Sequence, residues 1–476
     1  MDTPRTPLLI VALLSLAQLM IVLDFSIVNV ALPSIQSQFN LAPTQLQWVV
    51  SAYALTFGGF LLLGGRASDM FSRKTVFLAG LVLFSVASLL GGLAGSAVLI
   101  FISRAVQGLG ASMLSPSALS LITTTFREGG ERNRALGIFS SMAALGFTTG
   151  VILGGFLTST LSWHWVFFVN VPIGAFLFSA GIFVIPPPEK NHERRGFDLT
   201  GAVLVTTSVL MIIYAITEVS VPGEPLVNIA VLLLLSAALG ASFIIVERRA
   251  CIPLVPLDIF RRGTIALSDL AMFLTFGANA ALVFIITLFL QEVRGFSPLV
   301  TGLIFVPAGL GGITGAVLAP RLIRRIGFRY MMVTGLFLFG ASIAGITTIG
   351  TTSSIVLLMI LYYIGALGLV SSIVSMNIAG TTGVDQHHQG LAAGLLTTAQ
   401  QIGAAIGVSV ASVVVTTIVL SLGSGPGTMV TAYRASLFVS EGLVIAAILV
   451  ALYMVRRYSL KIKAGEGGGS GQPLSG

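Results

Sequence analysis

Asp24 and Arg104 are charged residues placed where hydrocarbon disfavours charge. Asp24 lies in VLDFSIVNVALP (22–33), inside the first long apolar run, and Arg104 opens RAVQGLGAS (104–112), inside a later one. A carboxylate in lipid costs a few kcal/mol, and such an acid is kept for a function and faces a partner. Asp24 falls about sixteen residues into its run, roughly 24 Å along a helix. Arg104 lies about seven residues into a run of opposite direction, so the two reach similar depth. Arg104, Gln107 and Gly108 share one helix face at i, i+3 and i+4, and Gly108 admits a neighbouring backbone. The chemistry this pair offers is proton exchange. Hydrocarbon favours the neutral acid and a nearby guanidinium favours the carboxylate, so a movement that alters either loads or unloads a proton. The competing account is a static pair that only holds two helices together.

Both residues need helices in a membrane to position them, and the composition supplies these. The 476 residues are 55% hydrophobic and 9% charged, with a mean hydropathy of +1.00. A soluble chain carries roughly a quarter charged residues. The net charge of +8 does not indicate nucleic acid, because the Lys and Arg residues fall in short clusters between apolar runs. The single cysteine, Cys251, excludes an internal disulfide. The first apolar run is expected to remain as a span, since it is long enough to cross and has no small-residue cleavage site.

Spans of about 20 mostly apolar residues are expected near 8–32, 46–64, 75–93, 97–121, 135–157, 163–185, 199–218, 226–246, 264–290, 299–319, 331–350, 354–378, 390–422 and 435–455. The basic residues test this count of fourteen. With the N-terminus inside, the inner segments hold 22 of the 25 Lys and Arg residues. The outer loops hold only Arg294 and Arg434, and Arg104 lies within a span. One helix more or fewer would put the later clusters on the wrong side. The positive-inside rule therefore predicts an all-α, multi-pass protein of the cell membrane with both termini cytoplasmic.

The spans group as six, two and six, the repeat organisation of transporters. Residues 1–185 form a first six-helix bundle, 186–263 a linker with two inserted helices, 264–455 a second bundle, and 456–476 a cytoplasmic flexible tail rich in glycine. GRASDMFSRK (65–74) and PRLIRRIGFR (320–329) are short basic segments that follow the second helix of each bundle, a faint internal echo.

Further motifs accompany the pair. GGRASDMFSRK (64–74) places Gly65 for tight packing, Asp69 at a helix N-terminus beside a basic residue, and Arg73 and Lys74 after it. GFTTGVILGG (146–155) puts Gly146, Gly150 and Gly154 on one smooth helix face, followed by Gly155. With LDFSIVNVALP (23–33), RAVQGLGAS, SWHWVFFVNVPIG (162–174), FDLTGAVL (197–204) and FLQEVRGFSPLVTGLIFVPAG (289–309), these stretches resemble the signatures of the fourteen-helix drug:proton antiporter family (EmrB/QacA type) of the major facilitator superfamily. The resemblance covers about residues 10–455. It implies the major facilitator fold, proton coupling at Asp24 and Arg104, and a conformational latch at Gly65, Asp69, Arg73 and Lys74. It implies helix packing by the antiporter glycines. The chain departs from the family at Ser72 (usually Gly), Met70 (usually Arg), Val151 (usually Pro) and His164 (usually Arg).

Asp269 and Glu441 each lie about six residues into a span, near opposite faces, and are candidates for a second protonatable group. Gln107, Asn279, Gln400 and Gln401 are candidates for a polar cavity lining, with helix packing as the plainer account. His387 and His388 lack carboxylate partners in metal-ligand spacing and read as solvated, so no metal is expected. No phosphate-binding G-x-x-x-x-G-K-[ST] loop is present, so transport driven by ATP is not expected; no cofactor and no enzyme activity are expected either. The energy source is then an ion gradient, worth about 2.3 kcal/mol per 100 mV and about 1.4 kcal/mol per pH unit for a proton. The expected function is proton-driven efflux of amphipathic lipophilic compounds by alternating access. The partners are protons, small lipophilic substrates and the lipid bilayer, with no nucleic acid, and the chain is expected to act as a monomer. Members of the family it resembles that take divalent organic cations often carry extra intramembrane acids; the tenth span, 299–319, has none, so the resemblance implies neutral or monocationic cargo. The alternatives are an exporter of one dedicated cargo, such as a lipid, siderophore or biosynthetic product, and a non-transporting membrane protein.

Overall fold

The computed structural model describes residues 6–126, 130–186, 199–219, 221, 224–250, 253, 255, 257–261, 265–348, 350, 353–382, 384, 389–423 and 425–463. Cys251, His387, His388, nearly all of the 186–198 linker and the tail beyond 463 lie outside them. At membrane depth the backbone must satisfy its own hydrogen bonds, and a long apolar run does so as a helix. Fourteen helices among the described residues are long and apolar enough to cross a bilayer. They are α1 (Pro7–Phe39), α2 (Pro43–Ser68), α3 (Arg73–Gly92), α4 (Ala97–Thr125), α5 (Gly130–Thr160), α6 (Trp165–Val184) and α7 (Leu199–Glu218). They continue as α8 (Leu226–Arg249), α9 (Ile265–Val293), α10 (Pro298–Ile326), α11 (Phe328–Thr347), α12 (Ile355–Thr381), α13 (Gln389–Leu422) and α14 (Gly427–Arg456). The chain is thus a multi-pass membrane protein.

The last helix begins earlier than the sequence suggests. Arg434, expected in a loop, sits in the early turns of α14, exposed, with Nη2 3.3 Å from the Thr348 carbonyl oxygen. A long basic side chain reaches out of hydrocarbon while its backbone stays helical. Glu441 is consequently about fourteen residues, roughly 21 Å, into its helix rather than near an end.

The face where α1 begins is called near here, and the face where it ends far. In the far half, one continuous apolar core joins the first six helices to the last six. Ile27, Ala31, Leu46, Val151 and Leu157 share it with Phe284, Phe305, Val408 and Tyr433. In the near half the two groups have separate cores. Leu14, Phe57, Phe77, Leu114 and Phe139 pack among themselves, and Met272, Met332, Met376 and Ala447 do likewise. The far half is thus joined by one continuous core, and in the near half the two groups meet in a smaller cluster of Leu63 with Ile265, Ala392 and Leu395.

One seam persists on both sides. α2 and α13 meet at the Ser51 Oγ to Ala405 O bond of 3.2 Å and the Thr398 Oγ1 to Gly58 O bond of 3.1 Å. The inserted helix α7 packs over this seam through Val209 and Ile213. α8 leans on α7, with Ser208 and Ser236 each donating to the other's carbonyl at 2.9 Å. Leu226, Leu234 and Ile245 leave the rest of α8 apolar and exposed, as a lipid-facing helix must be.

The echo between the halves has a backbone counterpart. Ser72 joins α2 to α3 at φ 109°, and Gly327 joins α10 to α11 at φ 82°. Each is the eighth residue of its short basic segment. This conformation favours glycine, so Ser72 is a strained substitute that caps α3 by accepting from the Thr75 N–H at 3.5 Å.

Candidate functional site

Five of the first six helices contribute to one polar cluster, and three of them, α1, α4 and α6, meet at the Asp24 carboxylate. Oδ2 accepts from Arg104 Nη1 of α4 at 2.6 Å. Oδ1 accepts from Gln107 Nε2 at 3.0 Å and from Asn170 Nδ2 of α6 at 2.7 Å. Arg104 also donates from Nε to the Val49 carbonyl of α2 at 2.9 Å and from Nη1 to Gln107 Oε1 at 3.0 Å. Its guanidinium lies 4.3 Å from the Tyr53 ring centre, a cation–π contact. Ser88 of α3 accepts from Gln107 and Asn170 at 3.1 Å each and donates to Phe167 O at 2.8 Å. Asp24 is 0% and Arg104 1% exposed, so the pair is sealed inside the bundle. A buried pair survives when its remaining donors and acceptors are satisfied, which Gln107, Asn170 and Val49 accomplish here. Two polar atoms beside the cluster remain without partners, Asn170 Oδ1 and Tyr53 Oη.

The local sequence explains how each group arrives. Thr56 Oγ1 donates to the Ala105 carbonyl at 2.7 Å, and a Cβ at Gly108 would collide with Thr56 Oγ1 and the Tyr53 carbonyl. The glycine thus lets α2 lie against α4, as expected. α6 breaks at Val169 between the short helix Trp165–Phe168 and the helix Asn170–Val184. Pro172 lacks an N–H and crowds the carbonyl four residues back, Phe168. The break delivers Asn170 to the carboxylate. α5 clamps α1 from outside: Gly146, Gly150 and Gly154 face Leu19, Val22, Leu23, Ser26 and Ile27, the stretch that carries Asp24. Gly155 instead faces Pro298 and Leu299 at the start of α10. α5 runs unbroken through Val151, which is buried.

Other predicted residues are distributed differently. Gln107, expected in a cavity lining, is fully buried in the Asp24 cluster. The motif after α2 divides. Arg73 Nε donates to Ser120 Oγ of α4 at 2.6 Å. Lys74 Nζ donates to the Ile182 and Ile185 carbonyls at the end of α6, both at 2.7 Å, capping a helix C-terminus. These bonds stay within the first six helices. Arg66 Nη1 reaches beyond them, donating to the Pro253 carbonyl at 2.7 Å in the segment after the inserted pair. Asp69 lies in the last helical turn of Trp48–Phe71 rather than at a helix N-terminus, and its side chain is outside what the structure describes. The tight glycine is Gly64, where a Cβ would collide with the Ser112 carbonyl; at Gly65 it would stand 3.6 Å from Pro116.

Asp269 is half-buried near the near face, and its Oδ1 has no hydrogen-bond partner. Glu441, Asn279 and Gln400 are half-buried on their helices, and Gln401 packs at the α2–α13 seam against Gly58. Among the described residues no group of three His, Cys, Asp or Glu is placed to hold a metal ion. Sequence reasoning missed Ser88 and Asn170 in the cluster and Glu292 at the far face. Asn170 had a visible signal in the following Val-Pro, which predicts a helix break next to a polar residue.

The model of the Major Facilitator Superfamily matches residues 14–408. A puromycin resistance protein of Streptomyces alboniger is 37% identical over 409 residues, 84% of this chain and 80% of that protein. A multidrug resistance protein of Mycobacterium tuberculosis is 34% identical over 406 residues, 85% of this chain and 75% of that one. The fold is shared with a bacterial homologue of the human lysosomal transporter Spinster, solved inward-facing and unoccupied, at a TM-score of 0.66 and 17% identity over 96% of this chain and 98% of that one. With fourteen spans, a charged pair inside its first six helices and a family model that matches most of its length, the chain belongs to the Major Facilitator Superfamily.

Proposed function

We propose that the chain is a proton-driven exporter of amphipathic lipophilic compounds, and that Asp24 is the group that carries the proton. The observation behind this reading is the convergence of Arg104, Gln107 and Asn170 on one sealed carboxylate. A proton on Asp24 removes the charge that all three donors address, so one small event reaches α1, α4 and α6 together. Asn170 suits both states. Its Oδ1 is unpartnered, and rotating the amide by half a turn presents that acceptor to a neutral carboxyl group. α1 then connects the cluster to the far-face seam, where Gln291 Nε2 donates to the Val30 carbonyl at 2.9 Å. Proton binding that slackens α1 would release this seam, and deprotonation would close it. The first six and last six helices rock about substrate held between them, with both termini cytoplasmic and the near face toward the cytoplasm. The expected unit is a monomer in the cell membrane.

The test is ethidium efflux from proteoliposomes under an imposed pH gradient, wild type against Asp24→Asn. Gradient-dependent efflux that disappears in a folded, inserted variant supports the reading, and undiminished efflux in the variant removes Asp24 from the coupling step. A second reading, a dedicated exporter of one cargo, is favoured by the single drug in the name of the Streptomyces alboniger relative. It predicts that wild type moves none of a panel of unrelated lipophilic dyes.

A further inference from the structure

The far-face seam contains a second polar site that the Asp24 cluster does not use. A cavity of about 420 Å³ opens between α1 and α9, lined by Ser34, Ser37, Gln38, Gln291, Glu292 and Phe296. Its floor is an unusual piece of backbone. Residues Phe289–Val293 form a π-helical turn, and the Arg294 N–H bonds to the Phe289 carbonyl at 3.1 Å. Such turns are rare and concentrate at functional sites. Here the turn lets adjacent side chains serve different helices. Gln291 reaches the Val30 carbonyl of α1, and Glu292 Oε2 accepts from Tyr433 Oη of α14.

Glu292 is exposed to this cavity, and no Lys, Arg or His among the described residues pairs with it. The nearest cation in sequence, Arg294, is engaged elsewhere. Its Nη1 donates to the Gly350 and Ser353 carbonyls at 3.0 and 3.1 Å, and its guanidinium lies 5.3 Å from the Phe296 ring centre. The cavity thus offers one uncompensated carboxylate, hydroxyl and amide oxygens as further acceptors, and an aromatic edge with prolines beside it. One carboxylate is too few for a calcium-type site, which takes six to eight oxygens. An anion is repelled. The combination of one charge, a few convergent acceptors and an apolar wall matches a small organic cation.

We propose that this far-face cavity binds protonated amines carrying a compact apolar body, with Glu292 as the counter-charge. The ammonium group donates to Glu292 and to the serine and glutamine oxygens, and the body lies against Phe296. The walls come from both halves of the molecule, so a bound amine bridges α1 and α9 and favours the joined far half by mass action. The site does not depend on what the chain exports.

Calorimetric titration of the protein in nanodiscs with phenethylammonium, and separately with phenethyl alcohol, tests the proposal. The expected result is at least about tenfold tighter binding of the ammonium, the worth of one charge-assisted hydrogen bond, with a raised unfolding temperature. Glu292→Gln should abolish the preference, and Glu292→Asp should keep it. Ser37→Trp, which narrows the cavity from an exposed position without touching charge, should weaken both ligands. Asp269→Asn and Glu441→Gln should leave the preference intact. Equal binding of the two ligands to wild type overturns the proposal, as does a preference that survives Glu292→Gln or disappears with Asp269 or Glu441 instead. Unfolding of each variant without ligand shows whether Glu292→Gln is folded; if it is not, Glu292→Asp and Ser37→Trp carry the test.

Discussion

The first six helices enclose a buried charged pair, whereas at the same depth the last six are held by neutral contacts. At the depth of Asp24 and Arg104, the corresponding helices α9 and α12 carry Leu282 and Tyr362, both buried. Tyr362 Oη has no hydrogen-bond partner, and its ring meets Phe305 edge-on at 5.0 Å. Polar contacts there are hydroxyls returned to carbonyls, such as Ser342 to Leu361 at 2.6 Å and Ser436 to Ala411 at 2.8 Å. Helices approach through glycines instead. A Cβ at Gly335 would stand 2.6 Å from the Gly368 oxygen, and one at Gly407 would collide with the Gly277 backbone. Directed bonds to one carboxylate make a switch that several helices feel. Smooth glycine surfaces make a bundle in which no single atom has that reach.

The largest test of this contrast removes one charge. Arg104→Met leaves Asp24 buried and unpaired, which costs about 3–5 kcal/mol. Tyr362→Phe removes a hydroxyl that bonds nothing and should change stability by less than about 1 kcal/mol. Unfolding in detergent with matched controls measures both. The double variant Asp24→Leu/Arg104→Met should recover more than half of the loss, because no lone charge remains. Equal costs for the two single substitutions would end the distinction between the bundles.

A smaller effect separates the two kinds of glycine contact. Gly150→Ala drives a methyl group into Ser26 Oγ and the Leu23 carbonyl, and Gly407→Ala drives one into Gly277. Overpacking of this kind costs about 1–3 kcal/mol, so thermal unfolding should show a similar loss in both. Gradient-driven efflux should distinguish them. Gly150→Ala displaces the stretch of α1 that holds Asp24 and should impair coupling beyond its stability loss, while Gly407→Ala should not. Gly65→Ala, with 3.6 Å to its nearest neighbour, is the neutral control.

Much of this contrast was legible from residue types and spacing. The fourteen helices follow from apolar runs of sufficient length, and the shared depth of Asp24 and Arg104 follows from counting along two of them. The glycine face of α5 was readable, though not that it would grip the Asp24 segment. Ser88 and Asn170 were not readable as site residues. They are neutral, and the bond from Asn170 to Asp24 spans 146 positions, which no helical period reports. Glu292 sits beside Arg294 at the end of an apolar run and resembles a loop acid until the π turn is seen. Gln107 was misplaced because spacing puts it on the face of Arg104 without saying what that face meets.

The internal echo gives a more delicate comparison. Ser72 and Gly327 occupy the same position in the two basic segments, and both have positive φ. A non-glycine residue in such a conformation stores about 1 kcal/mol or more. Ser72→Gly should therefore raise stability by about 0.5–1 kcal/mol after allowing for the entropy of glycine. Gly327→Ser should lower it by a similar amount. A loss from Ser72→Gly would show that its cap on Thr75 outweighs the strain.

The smallest effect lies at the far ends of the two halves. In the first, His164 stacks on Trp163 at 3.8 Å, and Trp163 Nε1 donates to Gln38 Oε1 at 2.6 Å. In the second, Arg294 lies over Phe296. Partial burial holds the His164 imidazole below its usual range, so folding favours its neutral form. The stability this contributes is present above the unfolded value of about 6.5 and is lost as pH falls through the lower folded value. Arg294 stays charged across that window, so its end of the molecule should not respond. The unfolding temperature should thus decline slightly below about pH 6.5, and His164→Phe should flatten that part of the profile while Arg294→Lys leaves it in place. A profile that His164→Phe does not alter would show that the acid sensitivity does not arise at His164.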